Sequence, residues 1–235
     1  MLSVKPQTRG MSIIELMIGI AISLFILAGA TVVVTGQLNE NRRLLIDTQI
    51  QQDMRVAADI IAHDVLRAGS TGHSWEAAWP STVLAGLVNA YATMTPEDAR
   101  GTDAGSTTTS LVYSYTNVTG ATAENNVLGN DEVSGFRYNS TAKTIEMQLG
   151  LNNWQALTDP NTLLITQFDI KVFGQKLDVP CAEVCPVGPN GRALKLSTRR
   201  VTFLIVGQSA ADANVKRSLS NTVRVRNDVV REEPA

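Results

Sequence analysis

The chain has few of the residues that build reactive centres. It holds 2 cysteines and 2 histidines in 235 residues. Two cysteines exclude a disulfide-dense miniprotein and a four-cysteine zinc module, and two histidines leave little for a histidine-rich metal centre. Aromatic residues make up 5% and charged residues 18%, against 44% hydrophobic. A chain this apolar and this weakly charged is not disordered. The 20 Lys plus Arg against 22 Asp plus Glu leave a net charge of -2, which argues against a strongly basic nucleic-acid binder. The 17 glycines follow no period, so collagen is excluded. No H-E-x-x-H, G-x-S-x-G, P-loop or G-x-G-x-x-G occurs, and no serine or threonine stands at a recognisable spacing from His63 or His73 and a carboxylate. Catalysis has no positive support, and no cofactor is expected. Proline, too, is missing from Met11 to Arg67.

What is abundant is apolar sequence at one end. Met11 to Val34 reads MSIIELMIGIAISLFILAGATVVV, with Glu15 as its only charge. As a helix it would rise about 36 Å, enough for a bilayer core of about 30 Å. Before it lies MLSVKPQTRG, whose only charges are Lys5 and Arg9. Positive charge on the short side keeps that end in the cytoplasm and puts the rest of the chain across the membrane. A secretory signal has a shorter apolar run of about 7–15 residues, although Ala28-Gly29-Ala30 offers a cleavage site. A plain anchor leaves Glu15 unexplained, since a carboxylate in an apolar helix is costly unless paired or interfacial.

The order of Arg9, Gly10, Met11, Ser12, Ile13, Ile14, Glu15, Leu16 and Met17 resembles the class III signal of type IV prepilins. The resemblance implies that a prepilin peptidase cuts between Gly10 and Met11 and methylates the new amine of Met11, a position where the family usually has Phe. Gly10 lets the scissile bond lie extended in a cleft. Glu15 would pair with the terminal amine of a neighbouring subunit. Such a pair in a low-dielectric filament core fixes axial register. The plainer reading of Glu15 is a tolerated interfacial carboxylate.

Beyond Gly36, Leu38, Leu45, Ile46, Ile50, Met54, Ala57, Ile61 and Val65 recur at helical spacing and form one stripe. With Gly69 as the stop, the spacing predicts one helix of about 57 residues, roughly 85 Å long. Residues 101–110 read as a loop. β-like runs follow at 110–118, 133–139, 144–149, 163–173, 199–207 and 221–229, with alternation in Ile165, Phe168, Ile170, Val172 and in Val201, Phe203, Ile205, with slips. The expected fold is α+β: a long N-terminal helix, apolar then amphipathic, packed on an antiparallel β-sheet head. The expected organisation is a leader at 1–10, a transmembrane and filament-core helix at 11–36, its amphipathic half at 37–69 and a β-rich periplasmic head at 70–235.

Two further stretches, DMRVAADIIAHDVLRAGSTG (53–72) and LSNTVRVRND (219–228), are similar to the helix end and closing strand of PilW-like minor pilins and the related J-type minor pseudopilins. With the signal they cover about a third of the chain. The cysteine often found after the Ala-Gly turn is absent; His73 and Ser74 stand near that place. The resemblance implies a minor type IV pilin that primes or joins pilus assembly, at the tip. It would sit in the inner membrane with a periplasmic head, then in the filament at the cell surface. Its implied partners are the prepilin peptidase, other minor and major pilins, the inner-membrane assembly platform and the inner membrane itself; no nucleic acid is expected. The alternatives are a minor pseudopilin of type II secretion and a membrane-anchored periplasmic enzyme or sensor.

Cys181 and Cys185 form CAEVC between Pro180 and Pro186. In an oxidising periplasm cysteines this close pair, pinning a small loop. A metal site would lack two of four ligands, and a redox dithiol would lack the C-x-x-C spacing. Asn130-Asp131-Glu132 and the Glu97, Asp98, Asp103 group read as solvated loop charges rather than a calcium site. Arg199, Arg200, Lys216, Arg217, Arg224 and Arg226 read as outward-facing strand charges.

Overall fold

The computed structural model describes residues 10, 12–72, 89–96, 99–100, 107–117, 127–178 and 193–232. It divides into two compact units, Met1–Ile46 and Asp47–Ala235.

A single helix, α1 (Ile13–Arg67, 55 residues), begins in the first unit and continues into the second. At 1.5 Å per residue it is about 82 Å long. The apolar part tolerates a β-branched run at Thr31–Thr35, and its hydroxyls are satisfied locally. Ser23 Oγ donates to the Gly19 carbonyl at 2.7 Å, Thr31 Oγ1 to Leu27 at 2.8 Å and Thr35 Oγ1 to Thr31 at 2.9 Å. This stretch is long and apolar enough to cross a membrane, and none of its most apolar window is buried within the chain. Phe25 is 83% exposed. A soluble core helix of this composition would bury that surface.

In the second unit α1 turns one face inward. Ile50, Met54, Ala57, Ala58, Ile61 and Val65 are buried at intervals of one, three and four residues. The stripe expected from the sequence is therefore shorter than its periodicity. Leu38 and Leu45 are exposed, because the buried face begins at Ile50.

Two sheets make up the rest of this unit, where one was expected. The first runs β1 (Met94–Thr95), β3 (Ser110–Ser114), β4 (Val133–Asn139), β5 (Thr144–Leu149) and β6 (Trp154–Ala156), all antiparallel. Its central hairpin turns on Asn139, whose Oδ1 accepts the amides of Thr141 and Ala142 at 3.1 and 3.0 Å. The second sheet is built on a hairpin of two 16-residue strands, β7 (Leu163–Asp178) and β8 (Leu194–Ser209). The short β2 (Ala99–Arg100) adds in parallel at Phe173–Gly174. On the other edge of β8 two strands follow in turn. β9 (Lys216–Arg224) covers Arg200–Gln208, and β10 (Val229–Glu232) covers Leu194–Ser197.

The strands at 133–139 and 144–149 fall where expected. The expected strand at 221–229 is instead the end of β9, a break, and the start of β10. The slip in the β7 alternation is a bulge. Ile165 faces Gly207 but Gln167 faces Val206, leaving Thr166 extra. That resets the inward face from Leu163 and Ile165 to Phe168, Ile170 and Val172, all buried. Opposite them Val201, Phe203 and Ile205 complete the core.

Candidate functional site

Two places carry the polar chemistry that the fold has to position. At the N-terminus Gly10 is exposed, and nothing lies within 4 Å of where a Cβ would project. Crowding within the chain does not demand glycine there. Met11 lies outside the described residues. Helix α1 begins two residues on, with the Leu16 amide donating to the Ser12 carbonyl at 3.1 Å. Glu15 stands in the first turn, where the helix dipole favours negative charge. It lines an open groove with Leu16, Gly19, Ile20 and Ser23. Among the described residues no ion pair to Glu15 is seen.

The second place is the C-terminal end of α1. Asp64 is 8% exposed and lies on the buried face between Ile61 and Val65. Three hydroxyls converge on its carboxylate. Tyr113 Oη donates to Oδ2 at 2.6 Å, Tyr115 Oη to Oδ1 at 3.0 Å and Ser134 Oγ to Oδ2 at 3.1 Å. Arg67, one turn on, is 3.9 Å from Oδ1 and stacks 4.2 Å from the Tyr115 ring centre. Burial, reinforced by the Asp64 charge, pushes the Tyr113 hydroxyl well above its ordinary range. Burial also raises Tyr115, against the Ser134 hydrogen bond. The cluster ties the helix to β3 and β4 by charge-assisted bonds, which are stronger than neutral ones. It holds no histidine; the neighbouring His63 is exposed. The sequence reading missed Asp64. The available signal was an aspartate inside an apolar stripe, facing tyrosines two apart near the next strand.

The helix end is capped by remote segments. Gly69, at φ +75°, reverses the chain in a conformation that glycine adopts without strain. Its amide donates to the Ser114 carbonyl at 2.8 Å. The break between β9 and β10 supplies the rest. The Arg226 amide donates to the Leu66 carbonyl at 3.3 Å, and Asn227 Nδ2 donates to Ala68 at 3.1 Å and Arg67 at 3.4 Å. Arg199, expected to face outward, is only 2% exposed. Its guanidinium donates to the Ala92 carbonyl at 2.7 Å and to Asn227 at 3.4 Å, so it braces this cap from below. Farther down, Arg217 pairs with Asp47 of α1 at 2.7 Å, and Thr162 Oγ1 donates to Asp53 at 3.2 Å.

Glu132, expected as a solvated loop charge, instead ends a short 3-10 helix (Asn130–Glu132), half-buried and with a structural task. It accepts from Tyr91 Oη at 3.0 Å, the Asn117 amide at 3.2 Å and the Gly129 amide at 2.7 Å. No group of three or more metal-ligating side chains forms among the described residues. Cys181 and Cys185 lie outside the described residues, as do His73 and Ser74.

A long, exposed apolar helix, a glutamate in its first turn and antiparallel sheets held to its far half define a type IV pilin-like protein. Comparison with known families narrows this. Residues 43–225 match the model for prepilin peptidase-dependent protein B, and residues 5–31 match the prokaryotic N-terminal methylation motif. The first match spans over three quarters of the chain, which therefore belongs to the prepilin peptidase-dependent protein B family. No curated protein and no solved structure matches the chain.

Proposed function

We propose that the chain is a minor type IV pilin, processed by prepilin peptidase between Gly10 and Met11, methylated on Met11, and used to prime or join pilus assembly at the tip. The observation that carries this is the coincidence of the methylation motif with the start of α1, which places Glu15 in the first helical turn. Before assembly the apolar part of α1 holds the protein in the inner membrane with the head in the periplasm. In the filament that same surface packs against neighbouring helices. The Glu15 carboxylate receives the terminal amine of an adjacent subunit and sets register, whatever its net contribution to stability. Other pilins and the inner-membrane assembly platform are the partners, and the head supplies specificity. The role is structural.

The test is the intact mass and N-terminal sequence of the protein from its native host. The expected chain begins at N-methylated Met11. A chain still carrying Met1–Gly10, or one cut near Ala30, overturns the reading. A second measurement addresses assembly. Glu15→Ala should reduce filament number while membrane insertion persists; unchanged filament number would remove Glu15 from the register role.

A further inference from the structure

Among the described residues, the outer edge of β9 has no ladder partner along its length; there β9 pairs with β8 on one side only. The amide directions follow from two bonds. The Val225 amide just past β9 donates inward to the Arg199 carbonyl at 2.8 Å, whereas the Thr222 amide turns to its neighbour's Asn221 Oδ1 at 2.7 Å. Amides alternate along a strand, so those of Ser218 and Ser220 also point away from β8. The open edge is about 30 Å long at roughly 3.3 Å per residue. It contains no proline and no bulge, two of the devices by which proteins close an edge, and its charges are confined to its ends.

The side chains say what would fit. On the inner face Leu219 is opposite Ile205 and Val223 is opposite Val201. Ile205 is fully buried, but Leu219 is only half-buried, so the apolar core ends at β9 with its margin uncovered. On the outer face Ser218, Ser220 and Thr222 are small and exposed. Charge sits at the two ends, Lys216 and Arg217 at one and Arg224 at the other. Arg217 already pairs with Asp47 and Arg224 with Asp228, which leaves Lys216 as the charge offered to a partner. A second copy is a poor occupant. Antiparallel self-pairing centred on Ser220 would set Lys216 opposite Arg224 twice, and like charges directly opposite destabilise a strand pair.

We propose that the β9 edge accepts an extended strand from a different protein, apolar or β-branched on the side that covers Leu219 and acidic at the end that meets Lys216. Main-chain bonds to Ser218 and Ser220 would provide affinity, and the charge opposite Lys216 would select the partner. This does not rest on the pilus reading, because the edge exists whatever assembly the chain joins.

The test uses the full chain in detergent micelles and a synthetic nine-residue peptide of alternating Val and Thr with Glu at both ends. The control peptide has Lys at both ends. Hydrogen exchange across 216–224 is the readout. The acid-flanked peptide should slow exchange there at least tenfold, and the Lys-flanked one should not. Ser220→Pro removes an outward amide and leaves the β8 ladder intact, so it should abolish the protection. Lys216→Glu keeps the backbone and should weaken the acid-flanked peptide while strengthening the Lys-flanked one; it decides the matter if the proline variant melts early. No protection by the acid-flanked peptide, equal protection by both peptides, or protection that survives Ser220→Pro in a folded protein overturns the proposal.

Discussion

Replacing Asp64 by alanine tests how the helix is held to the sheet. The substitution leaves three hydroxyl donors without their acceptor. Ser134 can turn to the Gln148 carbonyl, already 3.3 Å from its hydroxyl, but Tyr113 is buried at 1% exposure and cannot turn to water. An unsatisfied buried polar group costs about 1–3 kcal/mol. One such group makes the expected loss about 2 kcal/mol, with Tyr115 adding little because it is half-exposed. For a unit of this size 1 kcal/mol moves the midpoint by about 2–4 °C, so Asp64→Ala should melt about 4–8 °C lower. Thermal unfolding of the full chain in micelles, followed by near-ultraviolet circular dichroism, measures this. Asp59→Ala, one exposed carboxylate earlier on the same helix, should stay within about 0.5 kcal/mol of the parent. A double-mutant cycle with Tyr113→Phe sharpens the reasoning, since removing the hydroxyl as well should return part of the loss. If Asp64→Ala melts within a degree or two of the parent, the cluster does not hold the helix and the argument fails.

The same cluster predicts an alkaline transition. The folded-state Tyr113 hydroxyl is raised above its ordinary 10.0, so its contribution is complete below about pH 10 and is lost as pH rises beyond that value. Tyr113→Phe should flatten the stability profile above pH 10, and a profile unchanged by the substitution would contradict the assignment. Glu146 is lowered by its hydrogen bond from Asn139, aided by Arg137 and opposed by burial, so its contribution is present above its ordinary 4.5 and lost as pH falls below it; Glu146→Gln should reduce the acid sensitivity of the melting temperature. Asn227→Ala removes the side-chain cap on the Arg67 and Ala68 carbonyls and should cost about 1 kcal/mol, read as faster hydrogen exchange at the last turn of α1. We propose that Cys181 and Cys185 pair, and expect protein isolated without reductant to resist alkylation at both and to take two labels after reduction; two labels without reduction would mean free thiols.

The sequence by itself determined the helix and its motif. An uninterrupted apolar run, a glycine before it and a single glutamate in it are local features, so composition and spacing suffice to read them. It also placed the strands from 133 to 149, where a hairpin is set by neighbouring residues. What it could not supply were contacts between distant segments. Leu38 and Leu45 carry the same periodicity as Ile50 and Met54, yet only the latter meet a sheet, and no periodicity says where a sheet begins. Asp64 looks like any helical surface aspartate until Tyr113 and Ser134 arrive beside it, and Arg199 like any strand arginine until Asn227 and Ala92 close over it. The helix cap made by Arg226 and Asn227 lies about 160 residues from the turn it closes. Such groups are buried because tertiary partners satisfy them, and those partners exist only once the β9–β10 break has folded back onto the end of α1.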